Sequence, residues 1–299
     1  MAVIILASIA FAAYLLFSNS LRNPQNNKNI ASSESLSTIR VGVLPDQSDA
    51  ALQRRYQPLL KHLSNDLGLV FQLVLCDDYE DLVQKMGNGD IELASFGGLT
   101  YLQAKESHGV KAVVTRDVDL KFTSYFITHN LSEGKTLADF HGKPFSYGSP
   151  SSTSGHLMPR HFIRAKFGRD PIKLFSGIHY SGAHDKTVYW VLAEQNRLGV
   201  VNAEILQSMF RDGRLNEGDI RVIWETPPYA DYIWAASSRT SSQLRNAIQV
   251  AFLSLELQNP ADRDILTQLG ANYYLPVYDR DYKDLREIAT SLKMIRSPQ

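Results

Sequence analysis

An α/β fold of two hinged lobes is predicted by three observations. Strand-like and helix-like stretches alternate from Ile39 to Arg116, and a second alternating set runs from Thr123 to Trp224. Extended segments near 120–128 and 228–236 lead out of the first set and back toward it. Alternation of this kind makes βα units and mainly parallel sheets. Two such units linked by two crossover strands form a clamshell.

The elements follow in order. Ile39 to Leu44 is a strand ending at Pro45-Asp46. Leu52, Tyr56, Leu59, Leu60, Leu63 and Leu67 recur at helical spacing until Gly68. Val70–Leu75 is a strand, Tyr79–Met86 a short helix closed by Gly87-Asn88-Gly89, and Ile91–Phe96 a third strand. Gly97-Gly98 opens a helix to about Ser107, and Lys111–Arg116 is a fourth strand. The second set has strands at Thr123–Thr128, Pro144–Tyr147, Leu198–Val201 and Ile220–Trp224. Its helices run from Ser154 to about Phe167, His184 to about Asn196 and Ala203 to Arg211. After Pro227-Pro228, Tyr232–Ala236 reads as a strand returning to the first lobe. Helices near Ser241–Gln258, Asp262–Leu269 and Arg280–Leu292 complete the chain.

The expected division is therefore 38–122 with 236–299 for the first lobe and 123–235, hinge strands included, for the second. Residues 1–20 carry an apolar run from Met1 to Phe17, broken only by Ser8, and residues 21–37 are a polar linker. An apolar run of this length reads as an export signal or membrane anchor, whose usual basic start would lie upstream of Met1. The folded part is expected to work outside the cytoplasmic membrane.

Composition narrows the function classes. With 44% hydrophobic and 21% charged residues the 299-residue chain is globular. Lys+Arg and Asp+Glu balance at 31 each, so no overall field favours nucleic acid. Cys76 is the single cysteine, which excludes an internal disulfide and a multi-cysteine metal site. His156 and His161, like His179 and His184, are five apart and miss the spacing for two ligands on one helix face. No metal and no cofactor is expected.

The segment richest in chemistry is Gly148-Ser149-Pro150-Ser151-Ser152-Thr153-Ser154-Gly155. Five hydroxyl side chains fall within six residues, at a junction between an apolar strand and a helix. A helix N-terminus presents unpaired N–H groups and the positive end of its dipole, and each hydroxyl adds a donor. One such residue would be an ordinary cap; the cluster exceeds what capping requires. It reads as a grip for a small oxyanion. No nucleophile elbow or P-loop lysine accompanies it.

Several stretches together resemble one family. They are Val41-Gly42-Val43-Leu44-Pro45, Arg55-Tyr56-Gln57-Pro58-Leu59, Asp78-Tyr79, Gly89-Asp90-Ile91-Glu92-Leu93-Ala94-Ser95-Phe96-Gly97 and the serine segment. This set resembles the periplasmic phosphonate-binding family, substrate-binding components of ABC transporters for phosphate, phosphite and phosphonates. The likeness covers about residues 38 to 275.

The resemblance implies a two-lobed periplasmic binding protein with two crossover hinge strands. It also implies that Ser152, Thr153 and Ser154 hold the phosphorus oxyanion. Tyr79 and Tyr125 would approach from the first lobe and the hinge, His184 from the start of a second-lobe helix, and Asp231 from the return crossover. A carboxylate beside an anion is sensible if the ligand carries a proton it can donate. The chain departs from the family in having Ser149-Pro150 where Asp-Pro is frequent and Gly97-Gly98 where Gly-Pro is frequent. An acid that would pair with an aminoalkyl phosphonate is hard to place, Glu204 being only roughly positioned, and this favours a smaller ligand.

The expected function is an extracytoplasmic, monomeric binding protein that captures phosphite, phosphate or a small phosphonate and docks on ABC permease subunits. A membrane-anchored sensor feeding a signalling kinase is the alternative. A clamshell enzyme is the third reading, for which His184–Asp185 beside the serine loop is the one available pair.

Overall fold

The computed structural model describes residues 37–194 and 197–296; the expected export segment at 1–20 and the linker to residue 36 lie outside them. The first sheet is built from β1 (Thr38–Val43), β2 (Val70–Val74), β3 (Leu93–Phe96), β4 (Lys111–Arg116), β10 (Ile233–Ala236) and β11 (Tyr274–Pro276). Their order across the sheet is β11-β4-β10-β3-β1-β2. The second sheet holds β5 (Ser124–His129), β6 (Pro144–Tyr147), β7 (Gly177–Tyr180), β8 (Leu198–Asn202) and β9 (Ile220–Glu225), ordered β7-β6-β8-β5-β9.

The crossovers set strand direction. β1 is parallel to β2 and β3, whereas β10, arriving from the other lobe, runs antiparallel between β3 and β4. In the second sheet β6 is parallel to β7 and β8, and β5, arriving from the first lobe, runs antiparallel to β8 and β9. Since β10 lies wholly within the first sheet, residues 233–235 sit with the first lobe's strands, ahead of the boundary expected at 236. The two crossovers touch where Phe122 and Tyr229 exchange hydrogen bonds, 2.8 Å from Phe122 N and 3.0 Å from Tyr229 N. That pair forms the hinge.

Both faces of each sheet are covered. Helices α1 (Asp49–Leu67), α7 (Ser242–Leu253) and α8 (Pro260–Leu269) pack on one side of the first sheet. On the other lie α2 (Tyr79–Asn88), α3 (Gly98–His108) and α9 (Lys283–Ser291). The helical stripe Leu52, Tyr56, Leu59, Leu60 and Leu63 is buried as its spacing predicts. Gly42 lets Leu82 and Ile91 pack directly on β1, since a Cβ there would meet Leu82 Cδ1 at 2.5 Å and Ile91 Cδ1 at 2.6 Å. In the second lobe α4 (Met158–Phe167) covers one face, and α5 (His184–Ala193) with α6 (Ala203–Arg211) covers the other.

Several elements differ from expectation. The strands β7 and β11 carry too little apolar alternation to announce themselves, and β3 begins at Leu93 rather than Ile91. The helix expected from Ser154 starts instead as a π-helical turn, Thr153–Leu157, with regular α-helix only from Met158. The wider turn follows from the Leu157 N–H reaching back to Ser152 O at 3.0 Å.

Candidate functional site

Helix starts from both lobes meet at one place. Asp78 caps α2 by accepting from Glu80 N at 2.9 Å and Asp81 N at 2.8 Å, which sets Tyr79 at the first helical position, buried. At the start of α3, Gly98 N donates to Asp231 Oδ1 at 3.1 Å and Leu99 N to Thr153 Oγ1 at 2.9 Å. The second of these bonds joins the lobes. From the facing lobe, Ser152 caps the π-helical turn by accepting from Gly155 N at 2.9 Å. His184 opens α5 with its backbone N–H on Asp46 O at 3.0 Å, another bond between lobes. Converging helix N-termini create a positive potential without any cationic side chain.

The serine loop is held from behind. Ser124 Oγ donates to Ser154 O at 2.7 Å and also bonds the Tyr229 hydroxyl. His156 Nδ1 meets Pro150 O at 2.7 Å, and burial lowers its pKa to about 4, so it serves the loop as a neutral brace. Gly148 and Gly155 let the loop lie against His184: a Cβ on Gly155 would stand 2.8 Å from Ser152 Oγ and 2.9 Å from His184 Cε1.

Four polar atoms in this cluster are buried without a hydrogen-bond partner: Tyr79 OH, His184 Nε2, Asp46 Oδ1 and Asp231 Oδ2. Each such atom costs about 1–3 kcal/mol, so a concentration of them marks a place built to be satisfied by something else. The tautomer of His184 is fixed by its neighbour. Asn202 N donates to His184 Nδ1 at 3.1 Å, so Nδ1 is bare and Nε2 carries the hydrogen. Burial lowers the His184 pKa to about 3, which keeps the ring neutral and Nε2–H a donor.

The acids are perturbed in the opposite sense. Burial pushes Asp231 up to about 7, partly offset by the Gly98 N–H and the hydroxyls of Ser154 and Thr153. Burial likewise raises Asp46, against the pull of Arg55 and of the Tyr232 hydroxyl, which donates to Asp46 Oδ2 at 2.8 Å. The cluster thus offers hydroxyl, imidazole and helix N–H donors together with two carboxyl groups that resist ionisation. Such a set suits an oxyanion that still holds a proton.

Of the seven residues expected from sequence, the structure gathers Tyr79, Ser152, Thr153, Ser154, His184 and Asp231. Tyr125 stands apart. It is half-buried on the face of β5 packed toward α5 and α6, while Ser124, on the opposite face, reaches the serine loop. Glu204 pairs with Arg211 at 2.8 Å outside the cluster. Sequence reading missed Asp46, Tyr232 and Asn202. Tyr232 links the other two, accepting from Asn202 Nδ2 at 2.9 Å while donating to Asp46. The side chains of His184 and Asp185 are engaged separately: the Asp185 carboxylate accepts from Ser48 N at 3.0 Å and Lys186 N at 2.8 Å, and His184 Nδ1 accepts from Asn202 N.

Known proteins share this fold. Residues 41–282 match the family model described as ABC transporter, phosphonate, periplasmic substrate-binding protein. The chain is 27% identical over 271 residues to a probable ABC transporter phosphite binding protein, PhnD1, of Prochlorococcus marinus, covering 86% of this chain and 91% of the relative. It is 24% identical over 273 residues to a phosphate-import protein, PhnD, of Mycolicibacterium smegmatis, covering 84% of each. The solved structure of Prochlorococcus PhnD1 in complex with methylphosphonate superimposes with a TM-score of 0.79 at 26% identity, over 87% of this chain and 100% of that one.

Proposed function

We propose, from the premise that this chain belongs to the periplasmic phosphonate-binding family of ABC-transporter substrate-binding proteins, that it captures a small, monoprotonated phosphorus oxyanion between its lobes. The observation that carries this reading is the set of four unpartnered buried atoms beside the serine loop. Tyr79 OH and His184 Nε2 would donate to phosphorus oxygens, with the hydroxyls of Ser152, Thr153 and Ser154 and the helix N-termini around them. Asp231 Oδ2 would accept the ligand's P–OH, and Asp46 would stand behind Tyr79. Leaving these groups unsatisfied penalises the closed form, so the ligand stabilises closure.

The protein would carry its ligand unchanged, in the periplasm, to membrane permease subunits. Family membership supports both the location and the transport role. His184 is a poor base, with Nδ1 taken by Asn202 N and burial lowering its pKa to about 3, and Asp185 is engaged by Ser48; both argue against catalysis.

Isothermal titration with phosphite, methylphosphonate, phosphate, 2-aminoethylphosphonate and sulfate tests the reading. At least one of the first three is expected to bind at micromolar Kd or tighter. Sulfate, with no proton to give Asp231, should bind at least about a hundredfold more weakly, as expected when a buried carboxylate faces an acceptor. 2-Aminoethylphosphonate should also be weak, because Glu204 is engaged by Arg211. Tight sulfate binding, or no binding by any phosphorus oxyanion, contradicts the proposal.

A further inference from the structure

Outside the cleft, a groove of about 790 Å³ runs across both lobes, between the start of α1 and the α6 region. Four arginines line it: Arg54 and Arg55 from the first lobe, Arg211 and Arg214 from the second. Its two acids are already engaged, Glu204 with Arg211 at 2.8 Å and Asp212 with Arg214 at 3.2 Å. The groove therefore carries an excess of two positive charges in a chain whose formal net charge is zero. Arg55 Nε and Arg214 Nε and Nη1 lie buried there without partners.

The groove adjoins the cluster. Gln47 lines it and is the residue after Asp46, and Arg55 is the opposing charge that acts most strongly on Asp46. Two bonds between lobes cross this boundary: Arg214 Nη2 donates to Gln47 Oε1 at 2.9 Å, and Ser48 N donates to Asp185 Oδ2 at 3.0 Å. The hinge pair Phe122–Tyr229 joins the crossovers, and Tyr229 lines a different depression, with Pro227 and Leu120. The groove and its bridging bonds therefore mark the mouth of the cleft.

We infer that this groove is the ligand's entrance, an arginine-lined vestibule that draws a phosphorus oxyanion toward the cleft. Its mouth is shut behind the ligand by the Gln47–Arg214 and Ser48–Asp185 bonds. The inference rests on the proposed ligand class but concerns a separate surface. A patch of one sign beside low-dielectric walls concentrates its counter-ion and speeds association, and salt weakens the effect.

Stopped-flow association of phosphite and methylphosphonate, followed by intrinsic fluorescence, tests it. Arg54 is exposed, so Arg54→Glu can be made without disturbing the core. At low ionic strength this variant should bind about fivefold more slowly with its dissociation rate unchanged, and the deficit should shrink below about 1.5-fold at 0.5 M salt. Lys143→Glu makes the same charge change before β6, at the end of that strand away from the serine loop, and should leave association within about 1.5-fold of the parent. An unchanged association rate in Arg54→Glu overturns the vestibule, as does an equal slowing in Lys143→Glu or an effect confined to dissociation. Absence of binding in the parent protein by phosphite, methylphosphonate and phosphate alike overturns the reading of the cleft, and the vestibule falls with it.

Discussion

Replacing Ser152 and Thr153 together by alanine is expected to weaken phosphorus-oxyanion binding about a thousandfold. Hydrogen bonds to a charged group contribute about 1.5–3 kcal/mol each, and two at about 2 kcal/mol give that factor. Part of the loss is structural. Ser152 also caps the π-helical turn by accepting from Gly155 N, and Thr153 accepts from Leu99 N across the cleft. Losing a cap costs about 1 kcal/mol, far less than the binding effect. Thermal melting of the empty variant should therefore fall only by several degrees, while titration calorimetry shows the large loss. Affinity within tenfold of the parent would mean the loop is a capping device and nothing more.

The second large effect concerns protons. Burial pushes Asp231 up to about 7, and the second ionisation of a phosphorus oxyanion lies at about pH 6 or above. If the complex keeps one proton between carboxyl and ligand, it binds one more proton than its separated partners at higher pH. The sign follows: binding is strongest at about pH 6–7, weakens as pH rises, approaching tenfold per unit once both free groups are ionised, and weakens again in more acid solution, where the separated partners together hold two protons. Between pH 7.5 and 9.5 the affinity should fall about a hundredfold. Asp231→Asn needs no such proton and its affinity should be nearly flat over that range. A flat profile in the parent protein, or an undiminished slope in Asp231→Asn, removes the shared proton from the account.

The architecture was legible because its signals are local. Apolar strands alternate with a helical stripe such as Leu52 to Leu63, and the two extended segments were placed by the breaks around them. The serine loop was legible for the same reason, since its hydroxyls are adjacent in sequence. Asp46, Tyr232 and Asn202 were not, because each has an ordinary local appearance. Asp46 looks like a turn acid after Pro45, Tyr232 like a core aromatic opening a strand, and Asn202 like a helix cap, a role it also fills by accepting from Ile205 N at 3.0 Å. Only the approach of the lobes makes them a hydrogen-bonded chain.

Tyr125 illustrates the same difficulty in a strand. Successive side chains point to opposite faces, so a residue's place in the segment does not say which face it serves. Here Ser124 takes the face toward the loop and Tyr125 the other. The π-helical turn was likewise hidden, since it arises from backbone bonds spanning five residues, such as Leu157 N–H to Ser152 O, rather than from composition. The antiparallel β10 depends on where the chain returns, which no local window records.

A crystal structure of the protein with phosphite or methylphosphonate is the most direct test of the interlobe oxyanion site. It should show the phosphorus group between the lobes, with oxygens within hydrogen-bond distance of Tyr79 OH, His184 Nε2, the Ser152–Ser154 hydroxyls and Asp231 Oδ2. A ligand bound elsewhere, with Tyr79 OH, His184 Nε2 and Asp231 Oδ2 still unpartnered, would contradict the account.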